Sequence, residues 1–184
     1  MEYLAGKFLI ASPYLPDPNF LRTVVLMVQH DQEGAVGLVL TRPINLTVQE
    51  VWQNVSGESI DAPDQVLQGG PVEGPLMAIH QEPKLSELEV IPGVYFASQR
   101  ENIEPLIREN RKPFRLFLGY SGWAAQQLED EMEVGGWLTL PAKPEQVFET
   151  NTDLLWKSVS GEVGENIMRD SLNLKSMPQD PNMN

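Results

Sequence analysis

The chain contains no cysteine among its 184 residues. Disulfide bonds, thiolate nucleophiles and cysteine-based zinc or iron–sulfur sites are therefore excluded. The remaining composition is that of a folded protein, since 41% of the residues are hydrophobic and 21% are charged. A chain of this length normally buries one sizeable core, so we expect a single globular domain.

Basic residues are scarce. Thirteen lysines and arginines stand against 26 aspartates and glutamates, which gives a formal net charge of −13. The densest basic run, Arg108 to Arg115, is interpreted as a solvated helix end, because cations suit the C-terminus of a helix. A chain of this charge is repelled by phosphate backbones. The composition therefore argues against direct nucleic-acid binding, and no helix-turn-helix with a basic recognition helix is recognisable.

Long apolar runs are also missing. No segment approaches the roughly 20 apolar residues that a membrane helix requires. The N-terminal segment carries Glu2 where a signal peptide needs positive charge, and Lys7 interrupts its short apolar stretch. We therefore expect a cytoplasmic protein that does not associate with a membrane.

Apolar segments bounded by turn residues predict several strands and helices. The valine-rich segments Arg22–His30 and Ala35–Pro43 flank a polar turn and predict a β-hairpin that ends at Pro43. Thr47 and Glu50 have the spacing of a capping box, in which each residue satisfies an amide hydrogen of the other. A helix is therefore expected to start at Thr47.

Later in the chain, strands alternate with helices. Ser98 and Glu101 repeat the capping-box spacing, and Phe114–Tyr120 predicts a strand that leads directly into a helix. Paired strands early and alternation later favour an α+β fold with a mixed sheet and helices packed around it. We assign residues 1–165 to one domain and the polar residues 166–184 to a C-terminal tail.

The segment Gly119-Tyr120-Ser121-Gly122-Trp123 lies at that expected strand-to-helix turn. Hydrolases place a nucleophilic serine in such a turn, with small residues on both sides because the backbone is strained. Trp123 stands where the second small residue belongs, so the match is incomplete. Ser121 is therefore interpreted as a helix cap, with a hydrolase nucleophile as the alternative. Trp123, beside the turn, is expected to be half exposed.

The chain has two histidines, His30 and His80, and each ends a predicted strand. Together with Asp31 they form an alternative catalytic or metal-binding set. Metal sites usually show closely spaced histidines, and these two are far apart in the sequence. We therefore favour strand-end histidines bonded to a backbone carbonyl, and we predict no metal, no cofactor and no catalytic set.

Polar and aromatic residues gather at the predicted strand ends and turns. Arg42 has a guanidinium group suited to a carboxylate or an anionic ligand, although a surface ion pair is favoured. Gly69-Gly70-Pro71 predicts a turn, because no lysine or helix start follows it as in a phosphate loop. We predict that one binding surface unites these features. Its members are His30, Asp31, Arg42, His80, Tyr120, Trp123 and Gln127.

Several segments, taken in order from about Lys7 to Leu140, resemble the AlgH/YqgE family of bacterial proteins. They are FLIASPYLPDPNFLRTVVLMVQHDQEGAVGLVLTRP, LQGGPVEGPLMAIH, LFLGYSGWAAQQLEDEM and GGWL. The positions that match the family pattern are His30, Gly34, Gly37, Arg42, Pro43, Gly69, Gly70, Pro71, His80, Gly119, Tyr120, Gly122, Trp123, Gln127, Leu128 and Glu129.

The resemblance implies an α+β fold with a mixed, partly barrel-like sheet in a cytosolic bacterial protein. The family carries the label of transcriptional regulator, attached through alginate regulation, without an assigned mechanism. The resemblance also implies that alanine often stands in place of Ser121, which weakens the nucleophile hypothesis.

Three functional hypotheses follow from these patterns. The leading one is a non-enzymatic regulatory or binding protein that acts through an unknown protein or small-molecule partner, with its oligomeric state left open. The second is a hydrolase whose cleft contains His30, Asp31 and His80, with or without Ser121. The third is a direct DNA-binding regulator, which the net charge of −13 disfavours.

Overall fold

A computed structural model describes residues 3–12, 15, 17–149 and 151–171. Within these ranges ten strands form one sheet and five helices pack on it. The strands are β1 (Lys7–Ala11), β2 (Val24–Asp31), β3 (Gly34–Val39), β4 (Pro43–Thr47), β5 (Gln65–Gln68), β6 (Val72–His80), β7 (Leu88–Ile91), β8 (Val94–Ala97), β9 (Phe114–Ala124) and β10 (Trp137–Pro141). The helices are α1 (Val48–Ser56), α2 (Arg100–Arg108), α3 (Gln127–Glu133), α4 (Pro144–Val147) and α5 (Thr152–Ser171).

The centre of the sheet is β9, which pairs with three other strands. Its first half is antiparallel to β6 and parallel to β5, and its second half is antiparallel to β3. From β3 the sheet continues through β2 and β1 to β10, and from β6 it continues through β8 to β7. The parallel pair makes the sheet mixed, and the sheet curls into a half-barrel. These features confirm the predicted α+β class and the single domain.

Helices close the apolar clusters on the curled sheet. The helix α5 buries Leu155, Val159 and Val163, spaced about one turn apart, in the cluster that also contains residues of β1, β2 and β3. The helices α1 and α2 close a second cluster that includes Trp52, and α3 closes a third that includes Trp123. In the described ranges, none of the helices has the length and apolar character needed to cross a membrane.

The predicted hairpin and the first helix are confirmed. The strands β2 and β3 pair antiparallel, with Asp31 opposite Gly34. The Thr47 hydroxyl accepts the backbone N–H of Glu50 at 3.2 Å, and the Glu50 carboxylate accepts the backbone N–H of Thr47 at 2.7 Å. This reciprocal cap starts α1, and Gly57, with a φ of 76°, ends it in a conformation that favours glycine.

Three predictions about local structure are wrong. Pro43 starts β4, where the missing N–H of proline costs no ladder bond. Ser98 does not cap α2, because its hydroxyl and its backbone N–H both donate to the Glu87 carboxylate, at 2.8 and 2.9 Å. The strand β9 runs on to Ala124, so GYSGW lies inside a strand and not at a strand-to-helix turn.

The last helix extends further than predicted. The sequence predicts a weak helical segment over Thr152–Val159, whereas α5 continues to Ser171. It therefore crosses residue 166, where the sequence predicts the start of the tail. Residues 172–184 lie outside the described residues, so the division into a domain and a tail stays a prediction.

Candidate functional site

The second half of β9 lies directly against the link between β5 and β6. A methyl group on Gly69 would come within 2.2 Å of the carbonyl oxygen of Gly119. One on Gly70 would come within 2.2 to 2.3 Å of backbone atoms of the next two residues of β9. Two backbones are therefore in contact where residues 69–71 cross residues 119–121, and we call this contact the glycine junction. Its geometry requires glycine at both positions of the link.

Ser121 belongs to the glycine junction and is fully buried. Its hydroxyl donates to the carbonyl oxygen of Gly69 at 3.2 Å, and the same oxygen accepts the backbone N–H of Val39 at 2.8 Å. The side chain therefore ties β9 to the β5–β6 link. The interpretation of Ser121 as a helix cap is wrong, and the strand position also lacks the turn that a nucleophile elbow requires.

Replacement of Ser121 by alanine should cost about 1 kcal/mol of unfolding free energy, because one neutral hydrogen bond is lost while Val39 still satisfies the acceptor. Ser121→Val adds volume against the backbone of the junction and should cost more, roughly 1–3 kcal/mol. Urea denaturation of both variants measures the two losses. An alanine variant destabilised as strongly as the valine variant would show that the hydrogen bond, and not packing, dominates at this position.

His30 is buried between the N-terminal segment and α3. Its Nδ1 accepts the backbone N–H of Leu4 at 3.0 Å, which places the ring hydrogen on Nε2. Nε2 then donates to the Glu129 carboxylate, also at 3.0 Å. Both ring nitrogens are therefore occupied by bonds within the protein, and His30 holds α3 against β2.

Asp31, the last residue of β2, shapes the hairpin turn. Its carboxylate accepts the side-chain N–H of Gln29 at 2.7 Å and the backbone N–H of Glu33 at 2.8 Å. These bonds hold the pKa of the exposed Asp31 carboxyl below its ordinary value, and the bond from Gln29 has the largest effect. Its contacts are those of a turn residue.

The expectation that Trp123 is half exposed is wrong. Its indole is 5% exposed and stacks on Phe20, with ring centroids 6.0 Å apart. The indole N–H groups of Trp123 and Trp137 both donate to one oxygen of Glu131, at 3.0 and 2.7 Å. The side chain of Gln127 donates to the other oxygen at 3.0 Å. Glu131 therefore fastens α3 to the sheet through two indole donors, and Gln127 bonds to it within the helix.

His80, at the end of β6, has no solvent exposure. Its Nδ1 accepts the backbone N–H of Glu82 at 3.2 Å, whereas its Nε2 has no hydrogen-bond partner among the described residues. Burial lowers the pKa of His80 below 6.5, against the opposing effect of the carboxylates of Glu82 and Glu87. The folded protein therefore favours the neutral imidazole.

This burial predicts a pH dependence of stability. A histidine in the unfolded chain binds a proton below about pH 6.5, whereas folded His80 resists protonation, so the unfolded state binds more protons there. The unfolding free energy should therefore fall as the pH drops through the unfolded-state pKa and on towards the lower pKa of folded His80. Urea denaturation between about pH 7.5 and 5.5 measures this fall, which His80→Gln should reduce. An unchanged slope in that variant would assign the effect to other groups.

The strand β9 separates His80 from His30 and Trp123. His80 pairs with Phe114 at the start of β9, whereas Trp123 near its end pairs with Ala35, the partner of His30. The strand between positions 114 and 123 spans roughly 25–30 Å at about 3.3 Å per residue. His80 therefore lies apart from the others, and the expectation of one shared surface is wrong in this respect.

In the ranges that the structure describes, no group of three or more histidine, aspartate and glutamate side chains is arranged to hold a metal ion. The two histidines also have different surroundings, since His30 bonds through both nitrogens and His80 through one. Their positions at strand ends match the prediction, but the expected bond to a backbone carbonyl is wrong, because the Nδ1 of each ring accepts a backbone N–H.

An open cleft lies over the glycine junction. It consists of two adjoining depressions, of about 200 and 500 Å³, which share Gln68, Gly70 and Pro71. We call the two together the junction cleft. The other lining residues are Pro18, Asn19, Val39, Arg42, Ile44, Val72, Glu73, Gly74, Leu118 and Gly119.

Two members of the predicted surface border this cleft. Arg42 lines the smaller depression, and its guanidinium donates to the carbonyl oxygen of Leu21 at 2.8 Å. Tyr120 packs beside the larger one, because a methyl group on Gly74 or Gly122 would come within 3.0 or 3.1 Å of its ring. The structure thus divides the predicted residues into a cleft pair, an α3 group of His30, Trp123 and Gln127, the turn residue Asp31 and the separate His80.

The predicted strand from Phe114 contains Arg115, but the interpretation of Arg115 as part of a solvated helix end is wrong. Arg115 lies in β9, is 8% exposed, and donates to the carbonyl oxygens of Val147 at 3.1 Å and Leu40 at 2.9 Å. Burial lowers its pKa to about 10, against the opposing charge of Glu149, so it stays charged at neutral pH. A single charged residue within the apolar segment FRLFL is the signal that indicates burial.

Comparisons with known proteins agree with this architecture. A family model described as AlgH-like matches residues 8–168. A UPF0301 protein of Chlorobaculum tepidum is 40% identical over 168 residues, covering 87% of each chain. A UPF0301 protein of Chlorobaculum parvum is 36% identical, covering 98% of this chain and 95% of its own.

Solved structures match as well. The solution structure of the AlgH protein from Pseudomonas aeruginosa has a TM-score of 0.76 and 28% identity, and 95% of each chain is covered. A crystal structure from Corynebacterium diphtheriae has a TM-score of 0.67 at 22% identity, covering 97% of this chain and 90% of its own. This second match shows the shared fold.

Proposed function

The chain belongs to the AlgH-like family, and we infer that it is a non-enzymatic regulatory protein of the bacterial cytoplasm that binds its partner at the junction cleft. The observation that carries this proposal is the cleft itself. Its floor is the glycine junction, where two backbones are in contact and leave no room for a side chain. A preformed site of this kind loses little conformational entropy when a partner binds.

The rim of the cleft presents groups that remain able to bind. Between Val72 and Leu76, three residues of β6 face Gly119 alone in β9, so the strand bulges there. Residues 72–75 of this bulge are exposed. Bulges of this kind leave backbone N–H and C=O groups without ladder partners, and they often lie next to functional sites. Beside them Arg42 offers a cation to a carboxylate of a protein or small ligand.

The residues that an enzyme would need have other contacts. Ser121 is buried and bonds to Gly69, and both nitrogens of His30 are bonded within the protein. A serine hydrolase requires an accessible hydroxyl within reach of a base, and the contacts of Ser121 and His30 do not provide one. These observations support a binding role over the hydrolase alternative. The net charge of −13 likewise supports a protein or small-molecule partner over DNA.

Affinity capture with cleft variants tests the proposal. The chain of residues 1–184 and two variants, Arg42→Ala and Gln68→Trp, are immobilised and exposed to bacterial cytosol, and retained proteins and metabolites are identified by mass spectrometry. Arg42→Ala removes the cation, and Gln68→Trp fills the wall that both depressions share. We expect the partner retained by the original chain to be lost from both variants.

A surface arginine outside the cleft provides the matched control. Arg108 pairs with Glu58 and Glu104 and does not line either depression. Arg108→Ala should therefore retain the partner as well as the original chain does. Equal retention by the Arg42, Gln68 and Arg108 variants would contradict the assignment of the cleft as the binding site.

A further inference from the structure

A second cavity, of about 250 Å³, opens beside the first residues of β9. It shares no lining residue with the junction cleft. Apolar residues form much of its wall, including Leu67, Phe114 and Leu116. The buried cation Arg115 and the first residue of α5, Thr152, add polar groups. The cavity therefore combines a hydrophobic surface with a single buried positive charge.

Arg115 has hydrogen-bonding capacity that the described residues do not use. A guanidinium carries five N–H donors, and two of them bond to the carbonyl oxygens of Val147 and Leu40. In the described part of the chain, no carboxylate forms an ion pair with Arg115. Two carbonyl dipoles hold the guanidinium in place, and the Glu149 carboxylate acts on it through space without forming an ion pair. Buried charges are normally paired, so an anion is the complement that this arrangement lacks.

The surrounding charges restrict which anion fits. The Asp64 carboxylate also lines the cavity, but its Oδ2 is paired with Lys112 Nζ at 2.6 Å. The carboxylates of Asp64 and Glu149 would repel the second negative charge of a doubly charged ligand bound near Arg115. The N-terminus of the 20-residue α5, at Thr152, adds a partial positive charge, which is reduced because Asn151 Oδ1 accepts the backbone N–H groups of Asp153 and Leu154 and Asp153 is itself acidic. These surroundings favour a monoanion over a doubly charged phosphate.

We propose that this cavity binds a small organic monocarboxylate. Its carboxylate pairs with the guanidinium of Arg115, a geometry in which arginine donates two parallel bonds. The Thr152 hydroxyl lies in the same wall and donates a further bond, while the apolar body of the ligand packs on Leu67, Phe114 and Leu116. This site is independent of the partner proposed for the junction cleft.

Titration by nuclear magnetic resonance tests the proposal with acetate, butyrate and inorganic phosphate as probes, at constant ionic strength. Butyrate should cause saturable shifts in the Nε–H signal of Arg115 and in the amides of residues 64–67 and 114–116. Its two additional methylene groups should make it bind about tenfold more tightly than acetate. Phosphate should produce no saturable shift at these positions.

Variants distinguish specific binding in the cavity from nonspecific effects of added anions. Arg115→Met should abolish the butyrate shifts, and Thr152→Val should weaken binding about threefold through the lost hydroxyl. Thr152→Trp fills the cavity from a half-buried position, so it should block binding and keep its thermal unfolding temperature even if Arg115→Met does not fold. Arg108→Met removes an exposed cation and should bind butyrate as the original chain does.

Several results would overturn the proposal. Phosphate that binds more tightly than butyrate would contradict the ligand class, and equal affinities for acetate and butyrate would exclude the apolar wall as a binding surface. Butyrate shifts that persist in Arg115→Met or in Thr152→Trp would show that the carboxylate binds elsewhere. The absence of any saturable shift would show that Arg115 serves only to tie Leu40 to Val147.

Discussion

Gly70→Ala is expected to lower the free energy of unfolding by about 3 kcal/mol or more. The new methyl group would lie 2.2 to 2.3 Å from the carbonyl carbon and oxygen of Tyr120 and the nitrogen of Ser121. These are backbone atoms of the central strand, so they cannot rotate away as the end of a flexible side chain does. The two chains at the glycine junction would have to separate, with the loss of the bond between Ser121 and Gly69.

Gly161→Ala provides the matched control for this substitution. Apart from its chain neighbours and the nearby backbone of its own helix α5, no atom lies within 4 Å of the position that its methyl group would take. Alanine in a helix interior is more favourable than glycine by about 0.5–1 kcal/mol, so this variant should be slightly more stable. Urea denaturation of the two variants gives both values. Similar stabilities for both would contradict the close backbone contact at the junction.

Glu131→Ala is expected to cost about 2–4 kcal/mol, the second large effect. The carboxylate accepts the indole N–H groups of Trp123 and Trp137 and a side-chain N–H of Gln127. Both indoles are at most 5% exposed, so water cannot easily replace the lost acceptor. Unsatisfied buried donors cost more than the net value of the bonds that they formed.

Two further variants identify the source of this loss. Glu131→Gln keeps one acceptor oxygen and should be intermediate in stability, because a neutral acceptor forms a weaker bond than a carboxylate. Glu133→Ala removes an exposed carboxylate from the same helix and should change stability by less than about 0.5 kcal/mol. Tryptophan fluorescence should change in the Glu131 variants alone. Equal effects of the Glu131 and Glu133 substitutions would show that the lost charge, and not the indole bonds, matters.

Local patterns predict the early part of the fold correctly. The capping box of Thr47 and Glu50 is a contact between residues three positions apart, so both partners are visible in one short segment of the sequence. The β2–β3 hairpin likewise depends on two neighbouring segments and a short turn. The same spacing fails at Ser98, because Glu87, eleven positions earlier, competes successfully for its donors.

The path of β9 shows why the candidate site is harder to predict. Buried and less buried residues do alternate in its second half, where Gly119, Ser121 and Trp123 face inward. Two of these three are small and carry no apolar signal, because the backbone of the β5–β6 link occupies the space that larger side chains would need. A contact between segments about 50 positions apart therefore gives this part of the strand the residue composition of a turn.

The roles of individual site residues depend on similar distant contacts. Trp123 is buried because it meets Phe20 and Trp137, and Arg115 finds its carbonyl partners on Leu40 and Val147. From the residue types alone, Trp123 is expected to be half exposed and Arg115 to be exposed to solvent. Arg42 and Tyr120 are the candidate residues that the structure places beside the junction cleft.

Hydrogen exchange of the full chain, alone and with the partner retained in the capture experiment, tests the proposed binding site most directly. Binding at the junction cleft predicts slower exchange in residues 68–74, where the β6 bulge and the link to β5 form the cleft wall. The amides of α3 and those around Arg115 should exchange at unchanged rates. Protection confined to α3 and His30, with none in residues 68–74, would contradict the account.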